Sequence, residues 1–263
     1  MNDHLIQCPA NNGYNTILEI GDKDMDLTGF GLLNLTADQT WETQTQNTEA
    51  VLVILGGKCE IQAGSQNLGQ LGQREDVFSG KPYTVYLPPD CDCKITGVTD
   101  VEIAIALSPC DQAGKPAVVT PDQCKVMSLG TDNHLRDAVV MIGDDFPSRH
   151  FFVGEAWVPS GNWASYPPHR HDFDNPPDEL NMQEIYFFRF NPQHGYGLQQ
   201  VYTDDRSTDA RYVVQNNDTV AIPEGYHPVV NAPGYTMYYL WVMTGDSRGF
   251  VRFLDPVHAG SVG

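Results

Sequence analysis

With 34 acidic residues against 15 Lys plus Arg among 263, the chain carries a formal charge of -19 at neutral pH. Nucleic-acid binding driven by phosphate attraction needs a basic face, so that class of function is excluded. A hydrophobic share of 41% with 10% aromatic residues likewise excludes a disordered acidic tail and implies one or two folded cores.

No run approaches the roughly 18 to 20 apolar residues of a membrane helix. The start, MNDHLIQCPANNGY, has neither a basic n-region nor an apolar h-region, so a soluble cytoplasmic protein without a membrane partner is expected. The six cysteines are Cys8, Cys59, Cys91, Cys93, Cys110 and Cys124. They lack the regular pairing of a secreted scaffold, and the C-x-C pair at Cys91 and Cys93 has no second pair or nearby His to complete a zinc site. Buried, reduced thiols are expected.

Helical periodicity is scarce, and short runs rich in Val, Ile, Tyr and Phe recur between Gly, Pro, Asn and Asp. In chain order, strands are predicted at 50–55 (AVLVIL), 84–87 (TVYL), 101–107 (VEIAIAL), 151–158, 183–190, 198–203, 211–214, 219–222 and 235–243. A faint repeat links AVLVILGGKCEI and YTVYLPPDC to EIYFFRFNPQHGYG and DTVAIPEGYHP. Two tandem small β-barrels fit that pattern better than one large sandwich. Composition shifts at the same place: all six Lys lie at or before Lys125, and Arg74 alone among nine Arg precedes Arg136. The expected division is 1–125 and 126–263.

The segment Pro167-Pro168-His169-Arg170-His171 carries the chemistry, together with Glu184 in QEIYFF and His227 in PEGYHP. Residues two apart on a strand share a face, so His169 and His171 can present two imidazoles to one point. Glu184 heads a strand face shared with Tyr186, Phe188 and Phe190, where a carboxylate is costly unless a cation neutralises it. Three imidazoles and a carboxylate suit one Zn, Mn, Fe, Co or Ni ion with positions left open. Glu179, in the loop DFDNPPDELNMQ, competes as the carboxylate ligand, but Glu184 is preferred because a strand holds a ligand more rigidly. No histidine lies between His4 and His134, so the first unit cannot assemble such a site. His194, His150 and His258 read as surface or structural residues. No nucleotide-binding, G-x-S-x-G or catalytic-Cys motif appears, so no nucleotide cofactor is expected.

These residues resemble a cupin metal site. The stretches NWASYPPHRHD, QEIYFFRFNPQHGYGLQQVYTDD and IPEGYHPVVNAPGYTMYYLWVMTGDSR are similar, more closely, to the 5-deoxyglucuronate isomerase family of inositol catabolism, related to 5-keto-4-deoxyuronate isomerase. The resemblance implies an all-β bicupin of jelly-roll type with its metal in the second barrel. It also implies an aldose–ketose isomerase acting on a small sugar acid. Glu184 and, two residues on along the same strand face, Tyr186 are the candidate catalytic groups, a core tyrosine with its hydroxyl satisfied elsewhere being the alternative for Tyr186. A bicupin metal dioxygenase and a non-catalytic sugar-acid binder are the alternatives. A carboxylate substrate needs local cationic groups in so acidic a protein. Arg136 and Arg211 are the candidates, because a guanidinium binds a carboxylate bidentately, whereas Arg189 alternates to the face opposite Glu184 and is expected outside the barrel. A homo-oligomer is compatible with the sequence.

Overall fold

Runs such as AVLVIL and YYLWVM are apolar at successive positions because the sheets that contain them are covered on both faces. The computed structural model describes residues 4–261 and is built almost wholly of antiparallel strands. In the first half, a six-stranded sheet runs Ala117–Val119, Thr84–Leu87, Thr48–Gly56, Val101–Pro109, Gly29–Leu35, Gly13–Leu18. It faces a four-stranded sheet in the order Thr40–Gln44, Asp92–Gly97, Cys59–Ala63, Gln66–Leu71. In the second half, a seven-stranded sheet runs Leu5–Gln7, Asp218–Ile222, Gln183–Asn191, Thr236–Thr244, Phe151–Val158, Arg136–Ile142, Lys125–Leu129. Its smaller partner runs Trp163–Ala164, Val229–Asn231, Tyr196–Tyr202, Asp209–Gln215.

The two halves match strand for strand, which accounts for the faint repeat: Thr48–Gly56 beside Thr84–Leu87 corresponds to Gln183–Asn191 beside Asp218–Ile222. Each half is a pair of facing sheets with open edges, a jelly roll rather than a closed barrel. One expectation needs correction. Leu5–Gln7, assigned by sequence to the first unit, crosses over and pairs with Asp218–Ile222 in the second. The chain from Gly13 through Val119 builds the first pair of sheets, so we keep 1–125 and 126–263 as the proposed division, with this terminal strand exchanged. Among the described residues, no helix is long and apolar enough to cross a membrane.

Alternation decides which core each side chain joins. On Gln183–Asn191, Ile185 and Phe187 join Leu240 and Val242 in a core shared with Phe30, Val51 and Val53, so the large sheets of the two halves pack back to back. Tyr186, Phe188 and Phe190 face the other way, into the second jelly roll, with Tyr239 and Trp241. Polar ties cross the junction. Arg74 grips Glu155 with Nη2–Oε1 at 2.6 Å and Nη1–Oε2 at 2.9 Å, and Tyr238 donates its hydroxyl to the same carboxylate at 2.6 Å. Glu49 accepts from Tyr86 Oη and from the backbone N–H groups of Arg149 and His150.

All six cysteines are free and buried. Burial pushes Cys59 and Cys93 up to about 12, so neither is a thiolate able to bind metal or act as a nucleophile near neutral pH.

Candidate metal centre

The site forms where three segments meet over the inner face of the seven-stranded sheet. The short strand His169–Arg170 pairs with Phe253–Leu254 and delivers His169 and His171. Glu184 sits near the start of a central strand, opposite Ile222 and Met243 on its two neighbours. His227 follows the turn Pro223-Glu224-Gly225-Tyr226. His171 Nε2 and His227 Nε2 each lie 3.1 Å from Glu184 Oε2, and ligand atoms of His171, Glu184 and His227 all fall within 4.8 Å of one another. The His169 ring is 4.9 Å from that of His227 and 6.5 Å from that of His171. It lies beside the tight trio rather than within it.

The hydrogen bonds of the rings reveal what the centre can hold. His171 Nδ1 donates to the Met182 carbonyl, His227 Nδ1 to the Gly225 carbonyl at 2.8 Å, and His169 Nδ1 to the Pro167 carbonyl at 3.3 Å. A carbonyl only accepts, so each Nδ1 carries the proton and each Nε2 is left with its lone pair. His227 Nε2 is buried and makes no hydrogen bond despite its closeness to Glu184. Two lone pairs aimed at a carboxylate in a buried pocket repel unless a cation or proton lies between them, so this donor set fits a divalent metal.

The three groups with shifted titration respond differently to this crowding. Burial, reinforced by the charges of His227, Arg252 and His171, holds His169 well below the usual histidine range, which keeps it neutral and ligand-competent. Burial pulls His171 down, but the facing Glu184 more than reverses this, so that with no cation between them a proton takes that place. Burial pushes Glu184 up, and the facing His171 and His227 outweigh that and lower it.

Supporting contacts fix the segments. Asp172 accepts the Gly225 N–H at 2.8 Å, tying the histidine strand to the turn before His227. Gly225 has φ of +99°, and a Cβ there would lie 2.8 Å from the Tyr202 carbonyl. Gly225→Ala is therefore expected to cost about 1–3 kcal/mol through left-handed strain and the clash. The same shift should displace the carbonyl that orients His227. Thermal unfolding together with metal content checks this; an unchanged Tm and full metal would refute it.

Glu179 is buried but engaged elsewhere: its Oε1 accepts from Arg170 Nε at 3.1 Å and from the Asp172 N–H at 2.8 Å. Arg170, between the two histidines, points away from the centre and stacks on Phe253 at 4.6 Å. Tyr186, on the Glu184 face as expected, shares a 2.6 Å hydrogen bond with Ser165 and stacks on Tyr239 at 4.5 Å. Burial, then the Glu184 charge, holds its hydroxyl well above the usual tyrosine range.

A cavity of about 30 Å³ adjoins the centre, lined among others by His169, His171, Glu184, Tyr186, Arg136 and Arg252. Arg136 occupies the first position of an inward-facing alternation with Ala138 and Val140. Arg211 is a correction. Its side chain is 68% exposed on Asp209–Gln215, where it pairs with Asp209 at 3.2 Å, and it does not line the cavity, because its strand belongs to the outer small sheet. Arg189 does face away from Glu184, but toward the first half, where it pairs with Glu102 at 2.5 Å rather than meeting solvent. Sequence alone did not bring out Ser165, Tyr239 or Arg252. Tyr239 was discoverable from the alternation of its strand, whereas Arg252 lies in the irregular segment SRGFVRF with no pattern to mark it. A larger cleft of about 950 Å³ lies at the junction of the halves, with Arg74, Glu102 and Arg189 on its walls, and the cluster of metal-ligand type lies elsewhere.

The fold and site together define a bicupin whose candidate metal centre is in its second jelly roll. The chain belongs to the KduI/IolB family, whose sequence pattern matches residues 4–260. It is 40% identical to a 5-deoxy-glucuronate isomerase of Geobacillus kaustophilus over 89% of this chain and 85% of that protein. It is 34% identical to the Bacillus subtilis strain 168 protein of the same name, over 95% and 93%. An IolB-like protein from Salmonella typhimurium superposes with a TM-score of 0.94 at 31% identity, covering 98% of both chains. A Bacillus subtilis oxalate decarboxylase shares the fold at a TM-score of 0.69 and 10% identity, covering 95% of this chain and 79% of that one.

Proposed function

We propose that the chain is an aldose–ketose isomerase that converts 5-deoxy-D-glucuronate to 5-dehydro-2-deoxy-D-gluconate in inositol catabolism. The observation that carries this is the convergence of ligand atoms of His171, Glu184 and His227 to within 4.8 Å of one another, within a family match spanning nearly the whole chain. The residues proposed to hold one divalent ion, of Zn, Mn, Fe, Co or Ni type, are His169, His171, Glu184 and His227. When bound, such an ion supplies Lewis-acid stabilisation of negative charge developing on the C1 and C2 oxygens of the sugar.

The chain's own groups supply the rest. The reaction moves hydrogen from C2 to C1 and the hydroxyl proton from O2 to O1, with no net gain or loss of atoms or electrons, so no redox partner is needed. Tyr186 stays protonated and serves as a hydrogen-bond donor to a substrate oxygen, its hydroxyl held ready by Ser165. Glu184 stays ionised and keeps negative charge on the protein side of the centre. The aromatic wall of Tyr186, Tyr239, Trp241 and Phe250 limits water at the reacting carbons.

Chelation should abolish turnover, readdition of one divalent metal per chain should restore it, and oxygen or nicotinamide nucleotides should leave it unchanged. Full activity in a chain shown by elemental analysis to be metal-free would refute the proposed role of the centre. Oxygen uptake coupled to turnover would instead identify a dioxygenase.

A further inference from the structure

We propose that Arg252 and Arg136 together form the anchor for the substrate carboxylate, and that this pair selects uronic acids over neutral aldoses. The proposal rests on the isomerase function above.

The argument begins with how the other arginines are satisfied. Arg74, Arg170 and Arg189, all largely buried, pair with Glu155, Glu179 and Glu102 at 2.6, 3.1 and 2.5 Å. Arg149, Arg206 and Arg211 pair with aspartates nearer the surface. Arg248 has no carboxylate but donates to the carbonyls of Gly143, Phe146 and Phe151 and to the Ser148 hydroxyl. Arg136 and Arg252 follow neither pattern. Among the described residues, neither has a carboxylate within 4.0 Å.

Arg136 is only 4% exposed, donates from Nη1 to the His134 carbonyl at 3.2 Å, and leaves its buried Nε without a hydrogen-bond partner. Arg252 lies over the Phe250 ring at 4.5 Å. Both line the cavity beside His169, His171 and Glu184. Burial, then the like charge of Arg136, holds Arg252 below the usual arginine value, so the two cations sense each other across that space.

Two guanidiniums with no carboxylate partner among the described residues, beside a centre that fits a divalent cation, make a positive pocket in a protein of charge -19. An anion resolves that arrangement, and a carboxylate matches guanidinium geometry bidentately. A neutral sugar would leave both charges buried and uncompensated, which gives the pair its selectivity. The free cavity, about 30 Å³, has room for about one water. A sugar acid therefore displaces a wall when it binds. Phe250, 37% exposed, and Arg252 form the part of that wall that lies just before the two-residue strand Phe253–Leu254.

The test is calorimetric binding to the metal-loaded protein of two open-chain probes that differ only at C6, L-gulonate with its carboxylate and D-glucitol with a primary alcohol. Wild type should bind gulonate at least about tenfold more tightly, and Arg252→Gln should weaken gulonate alone by about 10- to 100-fold, the range of a hydrogen bond to a charged group. Arg136→Gln should do the same, and Arg252→Lys should recover part of the loss. Metal content and Tm confirm that the variants are folded and loaded. A wild type with no preference for gulonate, a preference unchanged in both Gln variants, or equal weakening of both probes overturns the anchor. If arginine-dependent gulonate binding is found but 5-deoxyglucuronate is not isomerised, the anchor stands and the reaction assignment falls. If isomerisation proceeds while the preference ignores both arginines, the anchor falls alone.

Discussion

Glu184→Gln should empty the metal centre while leaving the fold intact. Among the described residues, the carboxylate is the one anionic group facing the Nε2 atoms of His171 and His227, at 3.1 Å from each. An amide of the same shape cannot neutralise a divalent cation. Loss of an outer partner of a metal ligand costs about 10- to 100-fold in affinity, and loss of the charged ligand itself should exceed that. His171→Ala should act likewise, because it removes a candidate ligand nitrogen while the backbone bond from the Met182 N–H to the carbonyl of residue 171 remains to hold the segment. Glu179→Gln should keep its metal, since its carboxylate serves Arg170 and the loop backbone. Metal per chain by elemental analysis separates the cases. Full metal in Glu184→Gln with loss in Glu179→Gln would reverse the ligand assignment.

The largest expected loss of stability follows from Arg74→Met. The side chains of Arg74 and Glu155 are 1% and 0% exposed, so removing the guanidinium strands a carboxylate between the two halves with the Tyr238 hydroxyl as its remaining donor. Breaking one side of such a buried pair costs about 3–5 kcal/mol. In a chain of this size that is on the order of 10 °C in Tm. The double variant Arg74→Met, Glu155→Leu should recover most of the loss, because an apolar pair of similar volume no longer buries a charge. Denaturant unfolding of the single and double variants measures the difference. Equal stability of wild type and Arg74→Met would show that the junction does not depend on this pair.

How much of this was legible in the sequence depends on burial. The nine predicted strands all occur within a few residues, because each lies in a large sheet or carries strong β-formers. Several strands escaped, among them the buried Arg136–Ile142, and two kinds of miss have a plain cause. GFGLLNL at Gly29–Leu35 is broken by glycines that admit close neighbours, as at Gly31, where a Cβ would meet the Tyr14 hydroxyl at 2.5 Å. TWETQ at Thr40–Gln44 and QNLGQL at Gln66–Leu71 are half-exposed edge-sheet strands with too few apolar residues to stand out. The crossing of Leu5–Gln7 was not legible at all, since three residues carry no information about a partner more than 200 positions away.

The site divides in the same way. His169, His171, Glu184 and His227 could be proposed together because donor type, spacing and strand position all converge on one chemistry; the structure brings ligand atoms of His171, Glu184 and His227 within 4.8 Å of one another and leaves His169 beside them. Arg211 was misplaced because strand alternation gives a face but not which sheet a strand joins. Arg252 was missed because its position is set by the pairing of Phe253–Leu254 with His169–Arg170, a tertiary event.

The most direct test of the central claim is anaerobic incubation of the metal-loaded protein with 5-deoxy-D-glucuronate in deuterated water, with the products resolved by NMR. The isomerase assignment predicts 5-dehydro-2-deoxy-D-gluconate as the product with no oxygen or nucleotide present, and loss of that product in Glu184→Gln. Deuterium at C1 would further indicate proton exchange through an enediol. A fully metal-loaded wild-type protein that leaves the aldose unchanged would contradict the account.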